Sequence, residues 1–153
     1  MSKALSFETG IVEYEINGVA KARFNPTDVN FTERMYSSFM ELDSRQDEFQ
    51  KRVDEIGDDG EEMFAYAKER DAEMRGIIDS LLGEGVSDAL FPDMNCYALA
   101  DGMPVWLNLM FAIAEEIHDA FASEQAKADP RVRKFEDKHA ELLAKYKKAT
   151  TRK

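Results

Sequence analysis

Apolar and polar residues alternate near the start of the chain, which is the pattern of β-strands. Two such runs, residues 11–16 and 19–24, flank Asn17-Gly18, the strongest short-range indication of a β-hairpin. A two-residue loop would mix apolar and charged residues on one face, because Val12 would lie opposite Arg23. We therefore predict a three-residue loop with a left-handed Gly18. Residues 4–8 are a candidate third strand.

The preferred register sorts the hairpin side chains by polarity. It pairs Glu13 with Lys21 on the polar face. The other face carries the apolar residues Val12, Tyr14, Ala20 and Ala22.

A long apolar stripe predicts a helix over about residues 30–56, with Asn30 and Glu33 placed as a capping box at its start. The stripe repeats at alternating spacings of four and three, as one face of a helix does. It consists of Met35, Phe39, Leu42, Gln46, Phe49, Val53 and Ile56. Tyr36 and Met40 widen it near its start, and the run Gly57 to Gly60 ends the helix.

Further helices are predicted over about residues 61–82, 87–91 and 102–128, the last capped by Asp101 and apolar on nearly all faces. Asp129-Pro130 ends that helix, and a basic helix and tail occupy 130–153. This final helix presents Val132, Phe135, Leu142 and Tyr146. The predicted fold is mainly α (α+β), with an N-terminal β-hairpin followed by a bundle of four to five helices. Residues 1–128 form one globular domain.

Charge and composition limit the classes of function. The net charge is −11, with 27 acidic and 10 basic residues over 1–126 but 4 acidic and 10 basic over 127–153. An acidic body repels phosphates, so we do not expect generic nucleic-acid binding. The most apolar run, residues 103–114, is shorter than the roughly 20 residues of a membrane span, and the single cysteine, Cys96, suits a reducing compartment. We therefore expect a cytoplasmic protein that does not bind membranes.

Two Glu-x-x-His spacings, Glu115 with His118 and Glu136 with His139, have the pattern found in di-metal carboxylate bundles. Such a site also needs two further inward glutamates, whereas charged residues surround both pairs. The acidic run 54–62 does not fit a calcium loop, since placing Gly60 at loop position 6 puts Tyr66 at position 12. We expect it to be a helix break instead. We expect no metal.

Nucleophilic and cofactor chemistry have little support in the sequence. Cys96 has no histidine near it in the sequence, and Gly83-Glu84-Gly85 follows a helix instead of opening one as a phosphate loop does. We expect no catalytic residues and no cofactor.

Three features of the middle of the chain occur together. They are the hairpin around Asn17-Gly18, the pair of motifs Leu82-Gly83-Glu84-Gly85 and Leu90-Phe91, and the layout of residues 97–117. With these features, roughly residues 11–120 resemble small phage and prophage tail assembly chaperone-like proteins of Gram-positive-type siphophages. Gln46 within the first helix and the basic helix after Pro130 depart from the family pattern.

The resemblance implies a non-enzymatic protein that binds a tape measure protein and keeps this long helical chain soluble while tail tube subunits polymerise around it. Some members are also made in a frameshifted longer form. A host-cytoplasm location follows, a tail tube protein is a further candidate partner, and homo-oligomerisation is left open. From patterning alone, we predict partner contacts at Val12, Tyr14, Phe31, Met35, Phe39 and Leu42, although a stripe of this kind is more often core.

Two other functions remain open. The first is a small acidic phage-encoded inhibitor that imitates nucleic acid, which requires acidic side chains clustered on one exposed face. The second is the di-metal carboxylate bundle.

Overall fold

The computed structural model describes residues 1–127 and 130–151, and in these ranges the chain forms four short strands and six helices. They are β1 Val12–Ile16, β2 Ala20–Phe24, α1 Val29–Ser44, α2 Gln46–Ile56, α3 Gly60–Leu82, α4 Val86–Leu90, β3 Leu99–Ala100, β4 Met103–Pro104, α5 Val105–Ala126 and α6 Pro130–Thr151. The predicted mainly α fold with an N-terminal hairpin is confirmed.

The chain divides into two compact units, of which the first is Met1–Phe121 and the second begins at Ala122. The division falls within α5. The predicted domain boundary at residue 128 and the predicted helix end at Asp129 lie outside the described residues. No helix within residues 1–127 and 130–151 is both long enough and apolar enough to cross a membrane.

The first hairpin has the predicted three-residue loop, since Ile16 pairs with Ala20 and Tyr14 with Ala22. The left-handed Gly18 is confirmed, with φ 70°. The predicted partner of Glu13 is wrong, because Glu13 lies opposite Arg23 and it is Glu15 that faces Lys21.

The candidate strand over residues 4–8 is wrong, since residues 1–10 contain no strand. Gly10 has a left-handed backbone conformation, with φ 74°. The Asn25 side-chain amide donates to the Thr9 carbonyl at 2.8 Å and ties this part of the chain to the residue that follows β2.

The helix predicted over about residues 30–56 is two helices, α1 and α2. Helix α1 begins at Val29, one residue before the predicted start. Asp28 caps α1 by accepting a hydrogen bond from the Asn30 backbone N–H at 3.0 Å, so the capping box at Asn30 is wrong. The helix breaks at Arg45, whose φ of −100° and ψ of 5° lie outside the helical region. The Arg45 guanidinium binds the Glu48 and Glu73 carboxylates at this break.

The apolar stripe keeps its direction across the break. Met35, Leu42, Phe49 and Ile56, which are spaced seven apart, are all buried. Gln46, the polar member of the stripe, is exposed. The stripe therefore faces the interior along both α1 and α2.

Helices α3 and α5 supply the centre of the core. Met74 and Ile78 of α3 are completely buried. On α5 the buried side chains fall on one helical face, because the first two are four and three residues before the third, and the last is four residues after it. They are Leu109, Met110, Ile113 and Ile117.

A second, very short hairpin precedes α5. The turn residues Asp101 and Gly102 have φ values of 55° and 80°, and Asp101 therefore makes the turn between β3 and β4. The predicted N-cap at Asp101 is wrong, since α5 begins only at Val105. The Asn108 side-chain amide donates to the Ala100 carbonyl at 3.0 Å and holds the hairpin to the first turn of α5.

Candidate functional site

Three of the six predicted contact residues are core residues. Phe31, Met35 and Leu42 are only 1%, 6% and 7% exposed, so they are not surface contacts in this fold. The Phe31 ring stacks on Phe24 of the hairpin with centroids 4.2 Å apart. Phe39 is half-buried and its ring lies 5.8 Å from that of Trp106. The stripe of α1 is covered by this chain's own side chains, which is why it is unavailable to a partner.

The hairpin candidates lie nearer the surface. Val12 is 41% exposed. Tyr14 is half-buried and stacks on Phe24 at 4.6 Å. Burial and the Glu116 carboxylate, which accepts a hydrogen bond from the hydroxyl, together raise the pKa of Tyr14 to about 12. A contact role for Val12 and Tyr14 stays a prediction.

Helix α6 carries an exposed apolar stripe of its own. Positions 132, 135, 139, 142 and 146 alternate at spacings of three and four, so they share one helical face. The rings of Phe135 and His139 are stacked on that face at 6.3 Å. Its large apolar members are Val132, Phe135, Leu142, Leu143 and Tyr146, which are 49–72% exposed. We call these five residues the α6 stripe.

The spacing of three and four in the sequence predicts four members of the α6 stripe but not Leu143. Leu143 is adjacent to Leu142 and lies on the border of that face. A smaller exposed group lies on α1, where Val29, Tyr36 and Met40 are 66%, 64% and 55% exposed.

A polar cluster is built on Arg75 of α3. Its guanidinium donates to Asp71 at 2.8 Å, to Asp88 at 3.0 Å and to the backbone carbonyls of Ser87, Phe91 and Met94. The cluster thereby ties α3 to α4 and to the chain that follows α4. All these interactions join parts of the fold, so the role of the cluster is structural. The cluster is absent from the predictions made from the sequence, although the spacing of four between Asp71 and Arg75 is a helical ion-pair pattern.

Asp71 also anchors Cys96, because its second oxygen accepts the Cys96 backbone N–H at 2.7 Å. Burial alone would raise the pKa of Asp71, but the hydrogen bonds from Cys96 and Arg75 outweigh it and lower that pKa. The Cys96 side chain is fully buried. Burial, reinforced by the Asp71 carboxylate, raises the pKa of the Cys96 thiol to about 12.

We therefore expect the Cys96 thiol to be unreactive at neutral pH, because the thiolate is the nucleophile. In this fold the thiol stays protonated and reagents in solution cannot reach it. Labelling of the native protein with a thiol reagent such as iodoacetamide should be slower than labelling in denaturant by a factor of about 100 or more. Equal rates in the two conditions would contradict this assignment and reopen a nucleophilic role.

A second arginine of α3 lies between aromatic rings. The Arg70 guanidinium is 4.4 Å from the centroid of Phe49 and 4.2 Å from that of Tyr97, and its Nε is buried with no hydrogen-bond partner. A cavity of about 290 Å³ borders this stack. Its lining residues are Val53, Met63, Tyr66, Ala67, Arg70, Asn95, Tyr97 and Ala98. The stack joins α2, α3 and the chain before β3, which is again a structural role.

The candidate metal ligands are surface residues. Glu115, His118, Glu136 and His139 are all exposed. Within residues 1–127 and 130–151, no group of three or more His, Cys, Asp or Glu side chains is arranged to hold a metal ion. In the acidic run 54–62, Asp59 caps α3 by accepting the Glu62 backbone N–H at 3.1 Å, as expected of a helix break.

Comparisons of this chain with models of protein families, with curated proteins and with solved structures give no match. The resemblance to tail assembly chaperone-like proteins therefore depends on the sequence features described above. The surface of this chain is the remaining guide to its function.

Proposed function

We propose that this protein is a non-enzymatic binding protein that holds an apolar helical segment of another protein against α6. The family resemblance, which covers roughly residues 11–120 and does not include α6, implies a tape measure protein as the guest and phage tail assembly as the setting. The observation that carries the proposal is the α6 stripe, whose five large apolar side chains are 49–72% exposed. Contiguous exposed apolar surface of this kind is typical of protein-interaction sites.

The geometry of the stripe suits a helical guest. Val132 and Tyr146 are fourteen residues apart, which corresponds to about 21 Å along a helix axis at roughly 1.5 Å per residue. A second helix can lie along this length with its own apolar face against the stripe, the arrangement used when amphipathic helices are recognised. Phenylalanine, tyrosine and leucine also provide large contact areas.

The charge of the chain agrees with a solubilising role. Residues 1–126 carry an excess of 17 acidic over basic side chains, given their 27 acidic and 10 basic residues. A strong net charge keeps proteins soluble and separate through mutual repulsion. A complex that included this region would gain the same protection for an apolar guest.

The test uses the full chain and an apolar amphipathic peptide, rich in leucine and alanine, that aggregates when alone. Phe135→Asp with Leu142→Asp should abolish the protein's suppression of peptide light scattering, with a loss of affinity of roughly 10-fold or more. Both residues are exposed, at 72% and 63%, so circular dichroism should show an unchanged fold. The matched control is Met40→Asp, an exposed residue of α1, which should behave as the unmodified chain.

Two results would contradict the proposal. The unmodified chain could leave peptide aggregation unchanged, or the double variant could suppress aggregation as well as the unmodified chain. The second result would assign any guest-binding activity to surfaces other than α6.

A further inference from the structure

The α6 stripe has one basic border. Positions 132, 135, 139, 142 and 146 form the seam of this helix face. Lys138 and Lys145 lie seven residues apart and immediately precede His139 and Tyr146, so both lysine side chains fall along the same edge of the seam. The other edge carries Glu136, Leu143 and Thr150. In paired helices, the residues at these edge positions contact the partner helix and decide which partner is accepted.

We infer that the partner of α6 is an amphipathic helix whose apolar face is bordered by acidic residues. This inference rests on the proposed function and adds the charge of the guest. Over residues 130–151, α6 has seven basic and three acidic side chains. An acidic edge on the guest would lie against Lys138 and Lys145, giving attraction and a fixed alignment, whereas a basic edge would be repelled.

The same charges disfavour a second copy of α6 as the occupant. If two copies ran antiparallel, their lysine-bearing edges would face each other and repel. If they ran parallel, Lys138 would face Leu143 of the other copy and Lys145 would face Thr150, so that Arg131 with Glu136 would be the one attractive pair along the edges. An acidic helix is therefore more complementary to α6 than α6 is to itself.

The experiment compares two designed peptides of four heptads with identical leucine and isoleucine seams. One has glutamate at every edge position beside the seam and the other has lysine. Binding of each peptide to the full chain is measured by fluorescence anisotropy. The glutamate peptide should bind about 10-fold or more tightly than the lysine peptide, and the difference should shrink as salt is raised.

Charge reversal on α6 makes the test specific. Lys138→Glu with Lys145→Glu should reverse the preference so that the lysine peptide binds more tightly. The control is Arg133→Glu with Lys134→Glu, which changes the net charge equally but acts at exposed positions farther from the seam. This control should keep the preference for the glutamate peptide.

The outcomes separate the inference from the proposed function. Equal binding of both peptides would overturn the acidic-partner inference but leave guest binding by the stripe intact. Binding of neither peptide, together with loss of aggregation suppression, would overturn both. If sedimentation showed the chain self-associating through the α6 stripe and excluding both peptides, a second copy would replace the acidic helix as the occupant and the inference would be wrong.

Discussion

Replacing Arg75 by alanine should lower the free energy of unfolding by about 2–3 kcal/mol, because its partly buried carboxylate and carbonyl partners lose a charged hydrogen-bond donor. The Arg75 side chain is only 17% exposed. Its removal leaves the Asp71 carboxylate without its cation and leaves the Phe91 carbonyl without its guanidinium donor. Urea unfolding followed by circular dichroism measures the effect.

Two further variants separate the hydrogen bonds from packing. Arg75→Met keeps most of the apolar stem, so its loss of stability should be nearly as large if the polar interactions dominate. Lys68→Ala, on the same helix but exposed, should change stability by no more than about 0.5 kcal/mol. A loss for Arg75→Ala as small as that for Lys68→Ala would show that the cluster is dispensable.

The Arg75 cluster also explains how a segment with little regular structure is positioned. Between α4 and β3 the chain has no helix or strand, yet Cys96 within it is fully buried. Arg75 binds the carbonyls of Phe91 and Met94, while Asp71 binds the Cys96 N–H. Two side chains of one helix thus satisfy backbone groups that secondary structure would otherwise pair.

Features set by local sequence were predictable. The loop of the first hairpin follows from Asn17-Gly18 and from the need to separate apolar and charged faces, and the end of α3 follows from Gly83. Asp101 was predicted to start a helix, and the turn at Asp101-Gly102 was therefore not predicted. Asp-Gly is nevertheless itself an indication of a hairpin turn. No residue near Arg45 in the sequence indicates the helix break. The break coincides with an ion pair between Arg45 and Glu73, which lies on another helix.

The candidate site shows a deeper limit of sequence patterning. The stripe along α1 and α2 and the stripe of α6 have the same alternating spacing of three and four, yet the first is buried and the second exposed. Periodicity shows that a face is suited to burial, but the covering surface can come from the same chain or from another. For α1, that surface includes the hairpin residue Phe24 and also Trp106, which is distant in sequence.

Because the apolar face of α1 is covered by this chain itself, we expect a large effect for Phe31→Ala. The substitution should lower the free energy of unfolding by about 3–5 kcal/mol, since a fully buried phenylalanine leaves a cavity when truncated. Phe31 is 1% exposed, and its ring is nearly parallel to that of Phe24, so the loss includes an aromatic contact. The measurement is chemical denaturation monitored by tryptophan fluorescence, since Trp106 is the only tryptophan.

Tyr36→Ala is the matched control, because Tyr36 is a large aromatic residue on the same helix but is 64% exposed. Its effect on stability should be within about 0.5 kcal/mol. Similar small effects for both variants would mean that Phe31 is free to contact a guest, as patterning alone suggested. A large loss for Phe31 alone would instead show that the apolar face of α1 is used in folding, and would leave the exposed α6 stripe as the candidate surface for the proposed guest.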